Sequence, residues 1–186
     1  MSEAGTVRIL GIAGSLRRGS FNVATLRTAQ ELAPSGVTID IFDIAPIPLY
    51  NEDVRQQGFP APVEDLRARI KSADGLLIVT PEYNYSIPGV LKNAIDWASR
   101  PPDQPFDGKP IGVMGASAGT HGTSRAQYHL RQCFVFLNGV VMNRPEVMIP
   151  AAQNKFDADG KLTDQATRDF VVAHLAAFKA WVLRMR

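Results

Sequence analysis

Residues Leu10–Asn22 read LGIAGSLRRGSFN, and this stretch decides the fold. An apolar run, Val7–Ala13, stops at Gly14; Ser15, Arg17, Arg18, Gly19, Ser20 and Asn22 follow, and a helical pattern begins at about Asn22. A strand, a loop of small and hydroxyl residues with two cations, then a helix start is the layout of an anion pocket. The free amides of a helix N-terminus point outward and favour negative charge. Ser15 and Ser20 add hydroxyl donors, Asn22 an amide, and Arg17 a planar fork suited to phosphate. Neither Gly-x-x-x-x-Gly-Lys-Ser/Thr nor Gly-x-Gly-x-x-Gly is present, which excludes a nucleoside-triphosphate P-loop and the dinucleotide fingerprint. A monophosphate suits this loop better. The same composition also fits a polar surface loop ahead of a helix.

Working outward, strands and helices alternate. Strands are expected at Val7–Ala13, Val37–Phe42, Gly75–Thr80, Pro110–Ala116 and a fifth strand region, Val140–Met148. Helices are expected at Asn22–Ala33, Val63–Ala73, Pro88–Arg100, Ser124–Asn138 and Thr163–Met185. The closing helix repeats Val171, Leu175, Phe178, Val182 and Met185, a core stripe. The alternation predicts an α/β fold: a doubly wound, five-stranded parallel sheet with helices on both faces and the flavodoxin-like order 2-1-3-4-5. In that order a ligand sits beyond the carboxyl ends of the strands, where strands 1 and 3 diverge. The loops there are Gly14–Phe21, Thr80–Ile87 and Ser117–Thr123. The long proline-rich connection Asp43–Pro62 is of a length that is usually functional or partly mobile.

The second loop, Thr80-Pro81-Glu82-Tyr83-Asn84-Tyr85-Ser86-Ile87-Pro88, is stiffened by Pro81, while Pro88 suits a first helical turn. A rigid loop of this kind can present backbone groups to a flat heterocycle, with Tyr83 and Tyr85 as aromatic faces and Asn84 and Ser86 as polar tips. It also suits a turn that simply packs on the core. Glu82 is expected to offer backbone contacts or to hold the loop rather than to act as a base. The small side chains of Ser117, Ala118 and Gly119 let the third loop approach a ligand closely. His121 is either a proton donor or a surface or capping residue.

The chain has 186 residues, which fits a single domain spanning 1–186. A formal net charge of +2 gives no nucleic-acid or membrane-surface footprint. One cysteine, Cys133, excludes an internal disulfide, and it reads as a small buried residue of the fourth helix. His129 and His174 have no companions at metal-ligand spacing, so no metal is expected. No leader or bilayer-spanning segment is visible, which predicts a cytoplasmic protein.

Gly14-Ser15-Leu16-Arg17 with Ser20-Phe21-Asn22, then Pro81-Glu82-Tyr83-Asn84 with Ser86, Pro88 and Leu91-Lys92-Asn93-Ala94-Ile95-Asp96-Trp97, resemble the NADPH-dependent FMN reductase family, most of all its bacterial quinone and chromate reductase branch. Gly108-Lys109-Pro110 and Gln127-Tyr128-His129-Leu130-Arg131-Gln132 extend the likeness over nearly the whole chain. The resemblance implies FMN as cofactor and NADPH or NADH as donor. It implies that Ser15, Arg17, Ser20, Phe21 and Asn22 hold the phosphate and ribityl chain, that Pro81, Glu82, Tyr83 and Asn84 line the ring, and that Ser117, Ala118 and Gly119 close its other side. Gly122-Thr123 departs from the paired glycines common in that family.

Such chemistry resides in the cofactor, so no dedicated acid or base is assigned. A ping-pong hydride transfer to FMN and on to quinones is expected, with chromate, azo dyes and free flavin as further acceptors. The rival readings are a flavodoxin-type electron carrier, which the slightly basic charge disfavours, and a flavin-binding regulator. The resemblance also implies a homo-oligomer, a dimer or dimer of dimers. An outer face of Arg125, Tyr128, Gln132 and Phe136 on the fourth helix, and Trp97 on the third, suit subunit contacts, with Arg125, Tyr128 and Glu146 placed across the second contact of a homotetramer.

Overall fold

The computed structural model describes residues 6–186. Its strands are β1 Val7–Ala13, β2 Val37–Phe42, β3 Gly75–Val79, β4 Pro110–Ala116, β5 Val140–Val141 and β6 Val147–Ile149. Its helices are α1 Phe21–Glu31, α2 Glu52–Arg55, α3 Ala61–Ser72, α4 Gly89–Ala98, α5 Ser124–Phe136 and α6 Gln165–Met185. All strand pairings are parallel, in the order β2-β1-β3-β4-β5, with β6 also on β4. β3 and β4 are buried along their whole length, as expected of central parallel strands covered on both faces. One core layer packs β1, β4 and β6 side chains against α1 and α6; the other packs the opposite face against α3, α4 and α5.

The fifth strand region differs from expectation, because two short strands fill the outermost position. Arg144-Pro145 interrupts it with a cis peptide bond, and proline has no amide to donate to a ladder. Side chains satisfy the backbone that leaves the ladder. Arg131 Nη1 donates to the Met142 carbonyl at 3.0 Å and Gln127 Nε2 to that of Val147 at 2.9 Å. His174 Nδ1 donates to the Pro145 carbonyl at 2.7 Å from the opposite face.

Three local expectations are corrected, at Trp97, Cys133 and Met185, and the long connection is now placed. Trp97 is fully buried rather than facing a partner: its Nε1 donates to the Pro48 carbonyl at 2.8 Å, and its ring meets Tyr50 edge-on. The Asp43–Pro62 connection contains α2 and is docked on α4, with Asn93 bonded to both Tyr50 N and the Pro48 carbonyl at 2.8 Å. Cys133 is half-buried, at the margin of its core layer. Met185 is 40% exposed, so the α6 stripe ends at Val182.

His174 is buried with its Nε2 unbonded, beside the surface where a Gly112 Cβ would stand. Burial, opposed by the Pro145 bond, pulls its pKa from 6.5 down to about 4. Between those values the unfolded chain takes up a proton that the native chain refuses. Stability therefore falls as the pH falls through that window, by about 3 kcal/mol in all. Denaturant unfolding of His174→Gln from pH 7 to pH 4 will show a shallower loss than the parent.

Candidate functional site

The loops after β1, β3 and β4 meet at the carboxyl edge of the sheet around one cavity of about 570 Å³. Its walls include Ser15, Arg17, Ser20, Phe21 and Asn22 from the first loop and α1. Pro81, Glu82 and Tyr83 come from the second loop, and Ser117, Ala118 and Gly119 from the third. Ala116, Thr120, His121 and Arg125 complete them. Among the site residues named from the sequence, Asn84 stands outside. It sits with Tyr85 in left-handed backbone at an exposed turn, closed by reciprocal 3.0 Å bonds between Tyr83 and Ser86.

At one end the chemistry suits a phosphate. Ser20 caps α1, its Oγ accepting from Asn22 N at 3.2 Å and Val23 N at 3.4 Å. Ser15 Oγ accepts from Arg17 N at 3.3 Å. The Arg17 guanidinium is exposed, 5.8 Å from the Phe21 ring centroid. Asn22 lines the cavity and also makes a structural pair. Its Nδ2 donates to the Ala116 carbonyl and its Oδ1 accepts from Ala116 N, both at 2.9 Å. These two bonds latch α1 to the end of β4.

At the other end, Glu82 is the organising group. Its side chain is 9% exposed. Its Oε2 accepts from Arg125 N at 3.1 Å and Ala126 N at 3.2 Å, and its Oε1 from Arg125 Nε at 2.7 Å. α5 has no cap of its own, since the N-cap residue Thr123 makes no side-chain bond to the helix amides. Glu82 supplies that cap from 43 residues away, and its charge suits the positive end of the helix dipole. The Arg125 guanidinium also stacks 3.6 Å over the Tyr85 ring, and Ser86 Oγ lies 2.7 Å from His129 Nδ1. The second loop is thus buckled to one face of α5. Arg125, expected from the sequence at a subunit contact, pairs with Glu82 of its own chain and keeps 34% of its side chain exposed. Tyr128 and Glu146 lie on the outside, Tyr128 Oη 3.5 Å from Glu146 Oε2.

The third loop is stitched to the chain after β6. Ser117 N donates to the Ile149 carbonyl, and the Ser117 and Gly119 carbonyls accept from Ala152 and Ala151, all at 3.0–3.1 Å. The departure at Gly122-Thr123 has a physical account. Thr123 is buried in left-handed backbone (φ 74°), an uncommon state for a β-branched residue, and its Oγ1 accepts from Gln127 Nε2 at 3.1 Å. Room for it comes from Gly115, where a Cβ would stand 2.0 Å from Thr123 Oγ1 and 2.4 Å from the Thr80 carbonyl.

The strand order and the position of the cavity at the switch point define a flavodoxin-like α/β domain. Comparison with known proteins makes this specific. The family model described as NADPH-dependent FMN reductase matches residues 7–154. An NAD(P)H-dependent FMN reductase of Pseudomonas aeruginosa is 58% identical over 180 residues, 97% of each chain. A quinone reductase of Escherichia coli strain K12 is 50% identical over 189 aligned positions, with both chains fully covered. The solved structure of FerB, a flavoenzyme NAD(P)H:(acceptor) oxidoreductase from Paracoccus denitrificans, superposes with a TM-score of 0.88 at 36% identity, covering 96% of this chain and 98% of that one. The chain belongs to the NADPH-dependent FMN reductase family.

Two substitutions probe the latches. Asn22→Ala removes two buried hydrogen bonds and strands both Ala116 backbone groups, an expected loss of about 2–4 kcal/mol in denaturant unfolding together with weaker FMN binding. Gly115→Ala drives a methyl into backbone at Thr80. It is expected to lower the melting temperature and FMN affinity together, where an Ala at exposed, uncrowded Gly19 leaves the melting temperature unchanged.

Proposed function

We propose that this chain is an FMN-dependent NAD(P)H oxidoreductase that passes two electrons to quinones. The observation that carries the reading is the two-ended cavity: an arginine, two serines and a helix N-terminus at one end, a proline-stiffened ledge and small-residue loop at the other. Its volume lies in the range of small-molecule sites. FMN, when bound, supplies the hydride chemistry. Arg17, Ser15, Ser20 and the first turn of α1 are placed to hold its phosphate. The Pro81–Tyr83 ledge and the Ser117–Gly119 loop are placed to hold its ring from two sides, each fixed by bonds to α5 or to the chain after β6. Asn22 contributes by keeping the two ends in register.

Tyr83 is half exposed at the cavity mouth. One mouth serves donor and acceptor in turn, which favours a ping-pong order: NAD(P)H, a proton and quinone give NAD(P)⁺ and hydroquinone. No side chain is required as acid or base. An open mouth discriminates poorly among acceptors, so chromate, azo dyes and free flavin are further candidates. Among the described residues no helix is long and apolar enough to cross a membrane, and the reading places the enzyme in the cytoplasm, where its donor is supplied. The outer face of α5, with Tyr128 half exposed and Phe136 89% exposed, supports a homo-oligomer, a dimer or dimer of dimers.

The purified protein is expected to quench FMN fluorescence on titration and to oxidise NAD(P)H rapidly only when benzoquinone is present. Colourless protein that leaves FMN fully fluorescent overturns the reading. Arg17→Ala removes a charged phosphate contact and should weaken FMN binding by about 10- to 100-fold while leaving the melting temperature of the apoprotein unchanged. Light scattering that gives a monomer would remove the oligomer from the reading.

A further inference from the structure

Two charged side chains line the ring end of the cavity, Glu82 and Arg125, beside the start of α5. The helix end and the guanidinium are both positive, and both face the same carboxylate. Glu82 accepts the Arg125 and Ala126 amides through Oε2 and Arg125 Nε through Oε1. With 9% of its side chain exposed, its charge is little screened by water. Arg125 is held as firmly, by Glu82 on one side and the Tyr85 ring 3.6 Å below it. The three charges cannot rearrange independently, so the field they make at the ring end is built in.

From this arrangement we infer that Glu82 is a positioning residue that acts electrostatically, its carboxylate cancelling the positive field of Arg125 and the α5 N-terminus and thereby holding down the reduction potential of flavin bound in this cavity. The inference rests on the FMN reading above. Two electrons and one proton convert neutral oxidised flavin to an anion, so a positive field stabilises the reduced form and a negative charge opposes it. A low potential makes the reduced flavin a stronger donor to the acceptor. A wholly structural carboxylate, one that only caps α5, would leave the potential unmoved when replaced by an amide of the same shape.

Glu82→Gln keeps an oxygen for the α5 amides and removes the charge. FMN titration of the parent comes first; failure there defeats the functional reading and is distinct from failure here. With FMN bound, the midpoint potential of Glu82→Gln, measured against a reference dye, is expected to shift positive relative to the parent. Arg125→Gln removes the opposing charge and is expected to shift it negative. The double variant should return close to the parent. An unchanged or negative-shifted potential in FMN-loaded Glu82→Gln overturns the inference. If that variant does not hold FMN, Arg125→Gln decides: an unchanged or positive-shifted potential overturns the inference, and loss of FMN from both variants overturns it too, because the pair would then serve only to shape the site.

Discussion

Asn22 and Ala116 exchange two hydrogen bonds across 94 residues of sequence, and the binding edge depends on them. Strand ends in a parallel sheet are held by their ladders, but the loops that leave them are not. Without a cross-connection, the first and third loops would be neighbours free to separate. An amide side chain supplies one donor and one acceptor, the complement of a single peptide unit. Because Asn22 and Ala116 are both buried, breaking the pair leaves groups that water cannot easily reach. The latch therefore converts two flexible walls into one rigid one. Glu82 does the same for the second loop, joining it to the start of α5 through three bonds.

These latches can be rigid because the sheet beneath them is. β1, β3 and β4 run side by side with their apolar side chains buried on both faces, and helices cover each layer. The sheet weakens only at its outer margin, where β5 and β6 share one position. Even there, side chains of α5 and α6 take over the missing ladder bonds. That margin lies beside the third loop, whose Ser117 amide is bonded to the β6 residue Ile149. The repair at the margin thus also supports the wall of the cavity.

Much of this was legible in the sequence. Val7–Ala13, Gly75–Thr80 and Pro110–Ala116 are apolar runs too short and too uniform for amphipathic helices, and they form the central strands nearly to the residue. The three loops stand out by composition, and most of the residues named from them line one cavity. What was not legible was which polar groups would be consumed by the protein itself. The pairing of Asn22 with Ala116 could not be read, because nothing local reveals a peptide unit waiting 94 residues away. The pairing of Arg125 with Glu82 could not be read either, because 43 residues separate them. Trp97 looks like an exposed aromatic until the long connection folds back to bring Pro48 to its ring nitrogen. In each case period and composition fix which face of an element a residue occupies, while the partner is set by tertiary approach. The split of the outer strand was signalled by Pro145, but a proline predicts interruption without predicting that pairing resumes.

The charges left over after this internal pairing explain the direction of the site. At the end proposed for the ring, Glu82 and Arg125 satisfy each other and the start of α5, so little net charge faces inward. At the end proposed for the phosphate, the Arg17 guanidinium lies over the Phe21 ring, and the start of α1 lines the cavity. A molecule with a dianionic head and a near-neutral planar ring then has one favourable orientation. Reversing it would bring the head to an end whose charges are already paired and leave the Arg17 guanidinium without a counter-charge. The orientation proposed for FMN thus follows from which charges the fold has already neutralised.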